Sequence, residues 1–271
     1  MKRIISSILF LVIFFSLSAQ AVDSIIDIHD GQIYKVVKIG EHWWFAENLR
    51  STHYANGDPI TKIKDKWVGR TTEAYCWYRN DSIANAADYG ALYNWYAVID
   101  PRNICPAGWH VATDEDWKKM ESYSGMCHDD LNMEDARGSL EAGKLKESGT
   151  LHWRHSNTDV TNEIGFTALP GGFRNDSRGD GEFLNINSVG YWWCAHDSVL
   201  WRIGIKMYNG ILYPISVPKY PEIGCWRAIY SRSGTISRHY VHNNIGGLAC
   251  MRSYGLTNHL NYGGSVRCVR D

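Results

Sequence analysis

The chain has 271 residues, of which 44% are hydrophobic, and its 28 basic and 29 acidic residues leave a net charge of −1 at pH 7. This hydrophobic content is sufficient for a sizeable core, and the near-neutral charge lacks the excess of basic residues that typifies nucleic-acid-binding proteins. The sequence contains 12 Trp and 16 Tyr but only 7 Phe. Trp and Tyr combine an apolar ring with a polar group, which suits both irregular cores and binding surfaces.

The N-terminus predicts a secretory signal peptide over residues 1–21. Lys2 and Arg3 precede an apolar run over residues 4–17, and the sequence SAQA at 18–21 forms an A-x-A cleavage site. The run is too short for a membrane span. We therefore expect a secreted or cell-surface protein, with the periplasm as the alternative, and no transmembrane segment after cleavage. Residues 22–30 form a short lead, and residues 31–271 are expected to form a single domain.

Regular elements are predicted mainly in the first half of the chain. Alternating apolar residues over 32–49 predict a hairpin that turns at Gly40. Helical spacing of apolar residues predicts a helix over 88–100 with Asp88 as its N-cap.

A second helix is predicted to begin at Asp114, with Thr113 as N-cap and Asp116 in the capping-box position, and to stop at Gly125. We expect it to bury Trp117, Met120 and Tyr123. Beyond residue 125 helical periodicity is lost, and segments 170–188 and 206–224 are expected to be ordered loops. The similar sequences at 246–252 and 263–270 suggest a duplicated terminal strand.

Eight motifs, in order, resemble those of the Fibrobacter succinogenes major paralogous domain, a family of secreted bacterial proteins. The motifs are DGQIYKVVKIGEHWWFAENLR, YCWYRND, YGALYNWYAV, CPAGWHVATDEDW, GKLKESGTLHW, TNEIGFTALPGGFRN, GYWWCA and VRCVRD. The resemblance implies an α+β, C-type-lectin-like fold, related to that of formylglycine-generating enzymes, with two helices, small twisted antiparallel sheets and long ordered loops. The chain departs from the family at Cys194 and Ala195, where serines are usual, and at 206–250, which is longer.

The resemblance also implies a disulfide between Cys105 and Cys268, since lectin-like folds commonly join these regions. Trp109 would then pack beside the bridge, and His110 would be a packed polar residue. The alternative is a Cys105 nucleophile with His110 as base, but the acidic residues at 114–116 would raise the pKa of the thiol rather than lower it. Seven cysteines in an oxidising compartment favour disulfides, and an odd number leaves at least one thiol.

Motifs that carry catalytic or metal chemistry are scarce. No nucleophile elbow, zinc-protease motif, phosphate-binding loop or dinucleotide fingerprint occurs, and we expect no enzyme and no cofactor. His152 with His155, and His128 with Asp129 and Asp130, are expected to lie in solvated loops. Calcium is the alternative at 175–182, although the spacing there differs from that of an EF-hand. Its oxygen donors would be Asn175, Asp176, Asp180 and Glu182.

The second half of the chain interleaves aromatic residues with arginines, the side chains that dominate binding interfaces. Strand alternation should turn Trp192 and Trp193 to opposite faces, one of them exposed. We expect a binding surface over 170–245 formed by Trp193, Trp201, Trp226, Tyr230, Arg174 and Arg227.

These patterns predict an exported, non-catalytic recognition module whose partner is a glycan or an extracellular protein, with no nucleic acid involved. An enzyme on a formylglycine-generating-enzyme-like scaffold and an envelope structural protein are the alternatives.

Overall fold

A computed structural model describes residues 20–133, 135–154, 160–176, 180–195, 205–208, 211–214, 223–242 and 259–271. The helices in these residues are α1 (Ser82–Tyr89), α2 (Trp95–Val98), α3 (Asp114–Tyr123), α4 (His128–Leu131) and α5 (Glu141–Leu145). The strands are β1 (Val22–Ile26), β2 (Ile33–Ile39), β3 (His42–Phe45), β4 (Tyr75–Cys76), β5 (Leu92–Tyr93), β6 (His110–Val111), β7 (Asp135–Arg137), β8 (Phe173–Asn175), β9 (Glu182–Leu184), β10 (Val189–Cys194), β11 (Ile205–Tyr208), β12 (Ile211–Pro214), β13 (Ile223–Tyr230), β14 (Ile236–His242) and β15 (Cys268–Arg270). The fold is a mixture of few helices and small antiparallel sheets.

The first sheet confirms the predicted hairpin and has the strand order β1-β2-β3-β15-β6. Strands β2 and β3 turn at Gly40, whose φ of 61° lies in the left-handed region that glycine adopts without strain. The last strand, β15, lies between β3 and β6, so the C-terminal segment is held in the interior of the sheet. The disulfide implied by the resemblance joins Cys105 to Cys268, with Cα atoms 5.9 Å apart.

The helix predicted from Asp114 is confirmed, with one correction. Thr113 accepts a hydrogen bond from the Asp116 amide, and the Asp116 carboxylate accepts one from the Thr113 amide, which completes the capping box. Trp117 and Met120 are buried. Tyr123 is 54% exposed, so its predicted burial is wrong. It lies at the end of the helix over Gly40, at the surface of the first hairpin.

The single helix predicted over 88–100 is wrong, because Gly90 interrupts it. This residue has a φ of 70°, and a Cβ there would lie 2.6 Å from the Leu49 carbonyl oxygen. Helix α1 therefore ends before it, and β5 follows. Asp81 caps α1, and Asn94 caps the short helix α2 by accepting from the Ala97 amide.

The second sheet has the strand order β10-β13-β14-β7 and separates two hydrophobic clusters. The segment 206–224, predicted as a loop, contains instead the paired strands β11 and β12 and the start of β13. The sequence repeat at 246–252 lies outside the described residues, as does the predicted signal peptide except for its last two residues. Among the residues described, no helix is long and apolar enough to cross a membrane.

Candidate functional site

Strands β10 and β13 of the second sheet present their side chains to both clusters. Trp193 pairs with Trp226 on one face, and Trp192 pairs with Arg227 on the other. The predicted alternation of Trp192 and Trp193 is confirmed, but the exposure of one of them is wrong, since both are 0% exposed. The physical reason is that the sheet is covered on both faces, so neither side of the strand reaches solvent at this position.

Trp193 and Trp226, predicted as binding residues, form the centre of the first cluster. Their ring centroids are 3.8 Å apart, and Trp193 Nε1 donates to the Tyr93 carbonyl at 2.7 Å. Gly264 lets the chain pass directly over them, because a Cβ there would lie 2.3 Å from the Trp226 ring. These two rings are core residues, which corrects their predicted place on a binding surface.

The two predicted arginines are also buried, which is a second correction. Arg174 donates to the Asp176 carboxylate at 2.7 Å and lies 4.6 Å from the Trp67 ring centroid. The Asp176 oxygens also accept from the Trp67 amide, so this carboxylate is engaged inside the protein. Arg227 donates to Glu121 on α3 at 2.7 Å. Buried guanidinium groups require such pairing, and this explains why the charges are inside.

Tyr230 is the described member of the predicted set that reaches the surface, and Trp201 lies outside the described residues. Tyr230 is half-buried and stands beside Tyr191, with ring centroids 6.4 Å apart. Tyr191 packs edge-on against Phe173 at 4.8 Å, and Phe173 lies 5.7 Å from Tyr262. We call these four rings the aromatic patch. It forms the outer end of the same face that buries Trp193 and Trp226.

Tyr191 gives the aromatic patch a hydroxyl group that stays protonated. Burial, reinforced by the neighbouring Tyr230, holds the pKa of Tyr191 well above its usual range. Its hydroxyl group therefore remains both a donor and an acceptor at neutral pH. The side chain of Asn185, which is exposed, reaches to 3.5 Å from the Tyr191 hydroxyl oxygen. The patch thus combines three half-exposed rings, those of Phe173, Tyr191 and Tyr230, with hydrogen-bonding groups at its edge, whereas the Tyr262 ring is buried.

Comparison with protein families identifies one match, the Fibrobacter succinogenes major domain, over residues 37–270. The chain belongs to this family. The search of curated proteins and the search of solved structures give no match. In this member of the Fibrobacter succinogenes major domain family, the matched residues include the disulfide and the aromatic patch, whereas strand β1 precedes them.

The face of the β10–β13 sheet opposite the aromatic patch contains a pair of thiols that the spacing of cysteines in the sequence does not reveal. Cys194 and Cys225 are 31 residues apart in the chain, but the β10–β13 register places them opposite each other, both 0% exposed. Arg227 lies 3.5 Å from the Cys194 sulfur and 3.3 Å from the Cys225 sulfur. Burial holds the pKa of Cys194 well above its usual range. The signal that could have revealed the pair is the period-2 pattern of both strands.

The other histidine and cysteine candidates are distributed over the domain. Trp109 is buried beside the disulfide, as predicted, and its ring lies 4.9 Å from Phe45. His110 bonds to Asp116 at 3.0 Å, and Cys105, being in the disulfide, is no free nucleophile.

His152 is not in a solvated loop but lies between two carboxylates, 2.9 Å from Glu147 and 3.6 Å from Asp88. The side chain of His128 is 91% exposed, as predicted, but the residue begins helix α4 and does not lie in a loop. His155 lies outside the described residues.

Proposed function

We propose that this protein is an exported, non-catalytic recognition module that binds a glycan through the aromatic patch. The proposal includes a C-type-lectin-like arrangement of its sheets and loops, cleavage of a signal peptide at residue 21, and a location outside the cell or on its surface, with the periplasm as the alternative. It keeps the expected function and moves the binding surface from the buried tryptophans to Phe173, Tyr191 and Tyr230, with the buried Tyr262 packed against Phe173.

The observation that carries the proposal is that side-chain exposure increases along one face of the β10–β13 sheet. Trp193 and Trp226 are buried there, whereas Tyr191 and Tyr230, on the same face, are half-buried. Rings that are already held in place by the neighbouring core lose little conformational entropy on binding. A sugar ring offers an apolar face for stacking and hydroxyl groups for the Tyr191 hydroxyl and the Asn185 amide, which matches the mixed character of the patch.

The experiment is a glycan array probed with the purified chain, followed by titration of the strongest hit. Tyr230→Ala and Asn185→Ala should weaken binding, the first by about 2 kcal/mol or roughly 30-fold, because an aromatic anchor dominates such interfaces. The matched control is Tyr123→Ala, since this tyrosine is exposed and lies on helix α3, outside the patch. The control should bind as the unchanged chain does.

The alternatives give different results in the same experiment. An extracellular protein partner predicts an empty glycan array and binding to intact cells that depends on Tyr230. An enzyme predicts that an array glycan is chemically altered, and an envelope structural protein predicts neither binding nor turnover. Binding that is equally strong in Tyr230→Ala and Tyr123→Ala would refute the aromatic patch as the site.

A further inference from the structure

A second group of chemically reactive side chains lies far along the chain from the aromatic patch, at the end of strand β1. The turn after β1 contains Asp27 and Asp30, and the loop after β3 contains His53. His53 Nε2 lies 3.2 Å from Asp30 Oδ2 and 4.0 Å from Asp27 Oδ2. One ligand atom from each of the three residues lies within 4.8 Å of the others. We call these residues the His53 cluster.

The imidazole of His53 is oriented by the polar groups around its Nδ1 atom. Its Nδ1 lies 3.3 Å from the Tyr54 carbonyl oxygen and 3.3 Å from Ser51 Oγ. Donation from Nδ1–H to the carbonyl leaves the lone pair on Nε2, which points at the two carboxylates. Nε2 is buried and has no hydrogen-bond partner among the described residues. A histidine whose second nitrogen donates to a backbone carbonyl is the arrangement that metal-ligating histidines show.

The buried carboxylate of Asp27 gives an independent indication of a bound cation. The residue is 2% exposed, and its Oδ1 accepts from the His29 amide. Over the described part of the chain, His53 is the basic side chain within 4.0 Å of Asp27 and Asp30, and no lysine or arginine forms an ion pair with either carboxylate. When His53 keeps the lone pair on Nε2, the two carboxylates are left without a cation, which is costly for the buried Asp27. A positive ion between the two carboxylates and His53 would provide the missing charge.

We propose that Asp27, Asp30 and His53 bind a first-row divalent metal ion, and that Zn²⁺ is the ion that fits best. Zinc accepts imidazole nitrogen and carboxylate oxygen at about 2.0–2.2 Å, which places tetrahedral ligands about 3.3 Å apart. The 3.2 Å between His53 Nε2 and Asp30 Oδ2 meets this requirement, and the 4.0 Å between His53 Nε2 and Asp27 Oδ2 would have to shorten on binding. Calcium instead takes six to eight oxygen ligands, and an imidazole suits zinc better.

The ion would connect two parts of the molecule. Asp27 and Asp30 precede the residues matched by the family model, whereas His53 lies within them. Strand β1 is the edge strand of the first sheet. Metal binding would therefore fasten β1 to the loop that begins after β3, and three protein ligands leave a fourth position for water or for a group of a bound partner.

The test begins with the metal-depleted full chain dialysed against Zn²⁺, with metal analysis of the protein. We expect one Zn²⁺ per chain. Because Asp30 and His53 are proposed as direct ligands, Asp30→Asn and His53→Ala should each lower the affinity by more than the roughly 10- to 100-fold that loss of an outer-shell partner costs. Asp30→Asn is the primary variant, because the Asp30 side chain is 21% exposed and the substitution conserves its size. His128→Ala is the matched control, since the His128 side chain is 91% exposed and lies outside the cluster; it should bind zinc normally.

Co²⁺ provides the second measurement, because free cysteine thiols are also potential zinc ligands. Co²⁺ in the His53 cluster should give visible bands without the near-ultraviolet charge-transfer band of a cobalt–thiolate bond, and Asp30→Asn should abolish them. The proposal is overturned if the unchanged chain binds no stoichiometric Zn²⁺, if Asp30→Asn and His53→Ala bind it as the control does, or if the cobalt spectrum shows thiolate ligation.

Discussion

The two faces of the β10–β13 sheet are built from the same strands but end differently. On one face, Trp193 and Trp226 are buried and the rings become half-exposed toward Tyr191 and Tyr230. On the other face, Trp192, Cys194 and Arg227 are all 0% exposed and lie under helix α3, from which Glu121 and Asp114 pair with Arg227. The difference shows that aromatic and arginine content does not by itself indicate an exposed surface. We propose instead that the binding surface lies at the end of the sheet that other elements leave uncovered.

The face of the β10–β13 sheet that α3 covers, which we call the closed face, should lose the most stability when the buried guanidinium group of Arg227 is removed. Arg227→Leu leaves Glu121 and Asp114 without one of their cations, and both carboxylates are largely buried. Breaking a buried ion pair by removing one partner costs about 3–5 kcal/mol, which urea unfolding would measure. Lys144→Met is the control, because the Lys144–Glu163 pair is exposed and worth less than about 1 kcal/mol. Equal losses in the two variants would show that the buried network has no special role.

On the face that carries the aromatic patch, the buried end should contribute to stability as a hydrophobic core does. Trp226→Ala is expected to lower the free energy of unfolding by about 3–5 kcal/mol, because it opens a cavity beside Trp193 and Gly264. Tyr230→Ala, four residues along the same face, should cost much less because its ring is half-exposed. Thermal or urea unfolding of both variants makes the comparison. A Trp226→Ala variant as stable as Tyr230→Ala would mean that the two ends do not differ.

A smaller, pH-dependent effect is expected on the closed face at Lys146, whose side chain packs over Trp153. Burial lowers the pKa of Lys146 to about 8, whereas the unfolded value is about 10.4. Between these values the unfolded chain binds more protons, so this residue makes the free energy of unfolding rise with pH, by about 1–2 kcal/mol from pH 8 to 9.5.

Subtracting the unfolding curve of Lys146→Met isolates the contribution of Lys146 from that of other groups. The free energy of unfolding of the unchanged chain should rise relative to that of Lys146→Met as the pH increases through this window. A difference that is constant from pH 7 to 9.5 would show that Lys146 does not titrate in this range.

Local signals in the sequence predicted the parts of the fold that local physics determines. The capping box at Thr113 and Asp116 and the hairpin at Gly40 depend on residues that are close in the chain, and both are confirmed. The interruption at Gly90 was missed because its cause, the carbonyl of Leu49, is distant in sequence. The disulfide between Cys105 and Cys268 was predicted from the family resemblance and not from the spacing of the cysteines.

The candidate sites were harder to predict, because burial depends on long-range packing. Strand alternation correctly assigned Trp192 and Trp193 to opposite faces, but it cannot show that α3 covers one face and that Gly264 crosses the other. The pairing of Cys194 with Cys225 depends on strand register. The approach of His53 to Asp27 depends on two separate loops, so neither arrangement is visible as a motif.

The most direct test of the central claim measures glycan affinity and the free energy of unfolding on the same preparations of Tyr230→Ala and the unchanged chain. We expect a loss of affinity of roughly 30-fold with little change in the free energy of unfolding, because Tyr230 belongs to the uncovered end of the sheet. Unaltered affinity in a folded Tyr230→Ala variant would contradict it.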